Sequence, residues 1–131
     1  MVTQVIVGLG VDVCSVERMR TAIDRQEGGF EQRILSPREI AQIAGRKNYA
    51  EAVAGRFAAK EAFSKCLDGA RGVPWHDVEV ISLPSGRPTL ELTGEGLRRA
   101  QASGASTWHL SISHDGGVAM ATVILEGAAM P

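Results

Sequence analysis

The sequence predicts an α+β fold, a mainly antiparallel sheet packed around one long central helix. Three observations lead there. Residues 49–67 run without proline through strong helix formers, and Val53, Phe57, Ala59, Phe63, Cys66 and Leu67 spread over most of the helix circumference. A helix apolar nearly all round is central and buried. Residues 78–92 and 107–125 each contain two β-rich runs around a turn, Pro84-Ser85-Gly86-Arg87 in the first and His114-Asp115-Gly116-Gly117 in the second. Residues 5–13 alternate between a branched parity (Val5, Val7, Leu9, Val11, Val13) and a nearly bare one (Ile6, Gly8, Gly10, Asp12).

Taken in order, residues 5–13 are expected to pack their branched face into a core. The bare face would admit another backbone or a ligand, with Asp12 at its end. Gly8-Leu9-Gly10 lacks the third glycine of a dinucleotide fingerprint, Val13 standing in its place, and that reading is discarded. Residues 15–26 form a helix capped by Ser15, with Val16, Met19, Ala22 and Ile23 inward, and Gly28-Gly29 ends it. Phe30 and Arg33 follow, then Ile34 and Leu35. Ser36-Pro37-Arg38-Glu39 starts a further helix to about residue 45: a serine cap, proline in the first turn, and glutamate three after the cap. The central helix comes next, then Asp68-Gly69 and a loop over residues 70–75. Strands are expected at 78–81 and 88–92, a short helix capped by Thr93 to about residue 102, and strands at 107–113 and 118–125. The tail after Glu126 is expected to fray. With no linker or repeat, residues 1–131 are expected to form one domain.

Composition narrows the function. Hydrophobic content of 44% and charged content of 22% describe an ordinary globular chain. A net charge of -1 argues against general nucleic-acid binding, which needs a basic footprint. The N-terminal residues lack a positive n-region, and residues 5–13 are too short and glycine-interrupted for a signal or membrane span. Cys14 and Cys66 have no C-x-x-C spacing and are expected to be reduced, which suggests a cytoplasmic protein.

The candidate chemistry gathers on the central helix and two strand ends. Asp12 ends the glycine-bare strand and Glu61 lies on the buried helix, so the two carboxylates meet if the helix packs on that face. Such a pair suits Mg²⁺, which takes one or two carboxylates plus waters and phosphate oxygens. Asp12 alone could equally be a turn or capping residue, and Glu61 could pair with Lys65 at i,i+4 on the helix surface. Arg56, Lys60 and Lys65 bring positive charge for a phosphate-rich ligand, or snorkel into solvent off a buried helix. Ser111-Ile112-Ser113-His114-Asp115 is no catalytic triad, because neighbours on a strand point to opposite faces. His114 is placed either to line a cleft or to tie down the turn.

Three separated motifs stand in one chain: Gly8-Leu9-Gly10-Val11-Asp12 with Arg18, then Gly55-Arg56-Phe57-Ala58-Ala59-Lys60-Glu61-Ala62, then Ser111-Ile112-Ser113-His114. In order and spacing, over essentially the whole chain, this resembles the small bacterial holo-[acyl-carrier-protein] synthases of the 4'-phosphopantetheinyl transferase superfamily. The resemblance implies that fold and the transfer of 4'-phosphopantetheine from coenzyme A to a serine of apo-acyl carrier protein, in fatty acid biosynthesis. It implies Asp12 and Glu61 as Mg²⁺ ligands, Arg56 at the nucleotide phosphate, and Lys65 near the pyrophosphate. Pro88, Ser111 and His114 would line the coenzyme A site, His114 with a catalytic role. Arg18 and Arg25, seven apart on one helix face, with Phe30 following, would form the dock for an acidic helix of the carrier protein, or else a solvated basic face. Glu27-Gly28-Gly29 departs from the family's more basic run here. The resemblance also implies a homotrimer with sites between subunits, and no nucleic-acid or membrane partner. A non-catalytic binding module and a structural trimer are the readings from other classes.

Overall fold

The computed structural model describes residues 3–67 and 72–129. The elements run β1 (Gln4–Ser15), α1 (Val16–Arg25), α2 (Gly29–Ile34), α3 (Pro37–Ile43), α4 (Tyr49–Lys65), a 3-10 turn (Trp75–Asp77), β2 (Val78–Ser82), β3 (Pro88–Leu92), α5 (Gly94–Ala102), β4 (Thr107–Asp115) and β5 (Val118–Ala128). The expected loop residues Asp68, Gly69, Ala70 and Arg71 lie outside the described residues, as do Met1, Val2, Met130 and Pro131.

The strands are all antiparallel, and they form two sheets rather than one: β1-β5-β4 and the hairpin β2-β3. The Trp108 indole Nε1 donates to Leu90 O at 3.0 Å and ties the sheets together. Gly116 and Gly117 take φ of 58° and 82°, so the last hairpin needs only these two residues for its turn. His114 and Asp115, expected in the turn, are therefore strand residues paired with Ala119 and Val118. The tail does not fray at Glu126: β5 continues to Ala128, and Ala129 N donates to Thr3 O at 2.8 Å.

The central helix is as buried as expected, with Val53, Ala54, Ala58, Ala59, Ala62 and Phe63 all fully covered. Burying one such phenylalanine is worth about 1.5–3 kcal/mol. One core lies between α4, the three-stranded sheet and the β2-β3 hairpin; a second joins α1, α2 and α3 to the first half of α4.

The face of β1 that packs inward corrects the expectation. A Cβ on Gly10 would sit 1.9 Å from Ala62 O, and one on Gly8 would sit 2.8 Å from Cys66 O. The helix backbone lies directly on the glycines, an approach no side chain permits. The branched residues are consequently turned outward, leaving Leu9 59%, Val11 44% and Val13 60% exposed. A register shift between Ile6 and Gly8 returns Val7 to the core.

The helix caps are mostly as expected. Ser15 Oγ accepts from Arg18 N at 3.2 Å, and Ser36 and Glu39 close a reciprocal capping box. Thr93 occupies the cap of α5 without a side-chain bond. Asp77 caps it instead, accepting from Glu95 N at 2.8 Å, because Thr93 N is tied to Asp77 O. The short helix α2 was not expected. Gly28, at φ 89°, is its cap rather than only the end of α1, and its six residues are too few for a periodic signal.

Candidate active site

Alternation along β1 puts Asp12 on the same face as Gly8 and Gly10, towards α4. Ala62 sits on Gly10, so its neighbour Glu61 arrives beside Asp12. One helical turn further on, Lys65 donates from Nζ to Asp12 Oδ1 at 2.9 Å and to Val11 O at 3.1 Å. The lysine thus bridges to the strand rather than simply pairing back along the helix. Burial raises the Glu61 carboxyl above its ordinary range, the Asp12 charge adds to that, and Lys65 opposes it. Burial, then the same Asp12 charge, also pushes the Cys14 thiol up. Two carboxylates therefore share one site with a single ammonium engaged on one of them. That donor set fits a hard divalent cation, and no third His, Cys, Asp or Glu joins it among the described residues.

A second cluster lies towards the start of α4. Arg46, Glu51, Arg56, Ser82, Pro88 and His114 line a cleft between the helix, the end of β4 and the β2-β3 hairpin. Arg56 is only 5% exposed; its Nη2 donates to Ser82 Oγ at 3.2 Å, while its Nε has no partner among the described residues. A buried guanidinium with an unpartnered N–H keeps donor capacity beyond its bond to Ser82. Burial lowers its affinity for the proton, the Glu39 charge opposing. His114 Nδ1 stands 3.4 Å from Glu51 Oε1.

The two clusters do not meet within one chain. Glu51, beside His114, and Glu61, beside Asp12, are separated by about 15 Å of helix at roughly 1.5 Å per residue. Ser111 joins neither. Ile112 faces α4, its Cγ2 lying 3.1 Å from where a Gly55 Cβ would be, so Ser111 points to the opposite, outer face of the sheet and is exposed.

Of the expected docking residues, Arg18 and Phe30 fall near the carboxylate pair, and Arg25 lies further along α1. Arg18 and Arg25 border one shallow groove along α1, and Arg18, Phe30 and Phe57 border another with Val13 and Cys14, next to Asp12. Phe57 is held between Phe30 and Trp75, at centroid distances of 6.2 Å and 5.6 Å.

Lys60 departs from both readings of its charge. It neither faces a ligand nor snorkels out: its Nζ donates to Glu39 Oε1 at 2.7 Å, Trp75 O at 3.0 Å and Val78 O at 2.5 Å. Arg46, Glu51 and Ser82 are among the cleft residues that sequence reasoning missed. A basic Arg46-Lys47 pair just after Gly45, which takes a left-handed φ of 78°, was the available signal for the first.

A carboxylate pair with Lys65 on it at one end of α4, and the buried Arg56 in a cleft towards the other, are what this fold brings together. The chain belongs to the 4'-phosphopantetheinyl transferase superfamily, whose family model matches residues 8–123. It is 42% identical over 122 residues to a holo-[acyl-carrier-protein] synthase of Streptomyces avermitilis, covering 93% of this chain and 98% of that one. Identity to the protein of the same name from Solidesulfovibrio magneticus is 45% over 122 residues, covering 92% and 98%. Among solved structures, the holo-(acyl-carrier-protein) synthase of Bacillus anthracis in complex with CoA (3',5'-ADP) superposes with a TM-score of 0.76 at 37% identity, covering 93% and 97%. The holo-ACP-synthase of Plasmodium yoelii gives 0.84 at 26% identity, covering 97% and 99%.

Proposed function

We propose that this chain transfers 4'-phosphopantetheine from coenzyme A to a serine of an apo-acyl carrier protein, leaving adenosine 3',5'-bisphosphate, in fatty acid biosynthesis. The observation that carries the reading is the Asp12–Glu61 pair with Lys65 on it, in a chain that shares more than 40% identity with holo-[acyl-carrier-protein] synthases over nearly its whole length. The catalytic unit is taken as one domain over residues 1–131, supported by the family match over residues 8–123.

Asp12 and Glu61 would hold Mg²⁺, which supplies neutralisation of charge at the coenzyme A pyrophosphate. In-line attack at the β-phosphorus needs positioning and neutralisation more than covalent help. Lys65 is placed to steady charge on the leaving phosphate. Arg56 would bind the nucleotide phosphate through its unpartnered Nε–H, with Pro88 and His114 lining the same cleft. Arg18, Arg25 and Phe30 would dock the carrier's acidic helix beside Asp12 and so orient its serine.

A homotrimer would supply what one chain lacks. The separation between the clusters, about 15 Å of helix from Glu51 to Glu61, closes if one subunit's Asp12, Glu61 and Lys65 meet a neighbour's Arg56 and His114, and Ser111 would reach the ligand where subunits join. The exposed apolar face of the three-stranded sheet, with Leu9, Val11, Val13, Val118 and Met120, supports this. Two free cysteines support a reducing cytoplasmic setting, and no described helix is long and apolar enough to cross a membrane.

The test is mass spectrometry of a purified apo-acyl carrier protein after incubation with this protein, coenzyme A and Mg²⁺. A gain of one phosphopantetheine, lost with EDTA and with Glu61→Ala, is expected. No gain with folded enzyme and a competent carrier would sink the reading for that carrier.

A further inference from the structure

We propose that Glu51 is a positioning residue for His114: its carboxylate holds the imidazole with Nδ1–H towards α4 and leaves Nε2 as the nitrogen presented to the ligand in the cleft. The inference rests on reading the Arg56–Pro88–His114 cleft as the nucleotide site.

The geometry is specific about which ring atom is engaged. Nδ1 of His114 stands 3.4 Å from Glu51 Oε1, an ion-pair distance that places Nδ1 rather than Nε2 beside the carboxylate, and catalytic contacts of this length commonly tighten into hydrogen bonds when ligand closes a site. The same oxygen accepts from Asn48 Nδ2 at 3.4 Å, so the carboxylate is steered from a second side. Glu51 lies in the first turn of α4, where the helix dipole favours a negative charge.

The backbones beneath the two side chains are also held. His114 is paired with the buried Ala119, and its near neighbour Ile112 packs against Gly55 of α4 closely enough that a Cβ there would lie 3.1 Å away. Strand and helix thus cannot slide apart without breaking that contact.

Charge gives the functional reason. Arg46 and Arg56 make the cleft attractive to phosphate, whereas Glu51 is the one acidic side chain among the described residues that line it. A carboxylate lining a phosphate site repels its ligand least when its oxygen is turned to protein donors, and Glu51 Oε1 faces His114 Nδ1 and Asn48 Nδ2. A carboxylate on one ring nitrogen selects the tautomer and leaves the other nitrogen for the ligand.

The test is a two-bond ¹H–¹⁵N correlation spectrum of the ligand-free protein at about pH 8.5, about two units above the ordinary value of an isolated imidazole. The chain has three histidines, so His114 is assigned by its loss in His114→Asn. The Nδ1–H tautomer is expected to dominate in the wild type and in Glu51→Gln, whose amide oxygen still accepts, and to give way to Nε2–H in Glu51→Ala. In turnover, Glu51→Ala is expected to raise KM for coenzyme A about tenfold, with most of the loss recovered in Glu51→Gln. A wild-type spectrum dominated by Nε2–H would overturn the proposal without any variant having to fold. So would an unchanged tautomer in Glu51→Ala, the result expected if Glu51 serves only the helix dipole. Absence of transferase activity leaves the spectrum readable, so failure of the activity reading is distinguishable from failure of this one.

Discussion

The Lys60 ammonium and the Glu39 carboxylate meet at 2.7 Å with only 1% and 0% of their side chains exposed. Glu39 also accepts from Ser36 N and Val80 N, both at 3.0 Å, and Lys60 reaches two backbone carbonyls besides. This pair joins α3, α4, the 3-10 turn and β2 through fully satisfied bonds. Burial lowers the Lys60 pKa, and the Glu39 charge works against it.

Removing one member of a buried pair leaves the other uncompensated, at a cost of roughly 3–5 kcal/mol. Lys60→Met should therefore lower the urea midpoint sharply, without a matching change in KM for coenzyme A once folded enzyme is compared. A large KM change in a variant of normal stability would return Lys60 to the ligand site.

Glu61→Gln should separate activity from stability. Losing a metal-binding carboxylate is expected to cost several kcal/mol of transition-state stabilisation, about a hundredfold or more in kcat. The protein should be as stable as wild type or slightly more so, because burial and Asp12 already disfavour the Glu61 charge. Thermal melts beside carrier-modification rates check both halves. A clear fall in the melting temperature would contradict the electrostatics of the pair.

Tyr49 offers a direct pH readout, since it is the one tyrosine in the chain. Its hydroxyl donates to Glu31 Oε2 at 2.7 Å, and burial, that bond and the Glu31 charge push its pKa up to about 12. The folded value lies above the unfolded value of about 10, so the stability it contributes is complete below about pH 10 and is lost as pH climbs towards 12. Phenolate absorbance at about 295 nm should show the raised titration in the folded protein and the ordinary one in denaturant. Tyr49→Phe strands a buried carboxylate whose Oε1 already lacks a partner among the described residues, and should cost about 1–3 kcal/mol.

Leu9→Asp tests the outer face of the three-stranded sheet. Leu9 is 59% exposed, so a carboxylate there leaves the monomer core intact. If the face joins subunits, sedimentation should move from trimer to monomer, and activity should fall although Asp12, Glu61 and Lys65 are untouched. An unchanged active trimer would place the interface elsewhere.

Much of this protein was legible in its residues. The central helix followed from a proline-free run apolar on all sides, and the Ser36–Glu39 box from a local pattern whose partners lie three residues apart. The bare face of β1 was visible as a place for close approach. Glu61 and Lys65 were legible as neighbours on one helix face, and Asp12 as the end of the bare face of β1, because helical spacing and strand alternation are local rules.

What escaped were relations between distant segments. Branched side chains on β1 suggested a buried face, yet close helix packing selected the glycines and turned Leu9, Val11 and Val13 outward. Lys60 resembled its charged neighbours in the helix until α3 and β2 arrived to surround it. Which residues are neighbours within a strand or helix turn is set by short-range sterics and hydrogen bonding, and the sequence by itself determined that much here. Whether Glu51 meets His114, or Asp12 meets Lys65, depends on how α4 crosses the sheet. Only the tertiary structure decided that, because the crossing is chosen by the summed fit of many weak contacts from segments far apart in the chain.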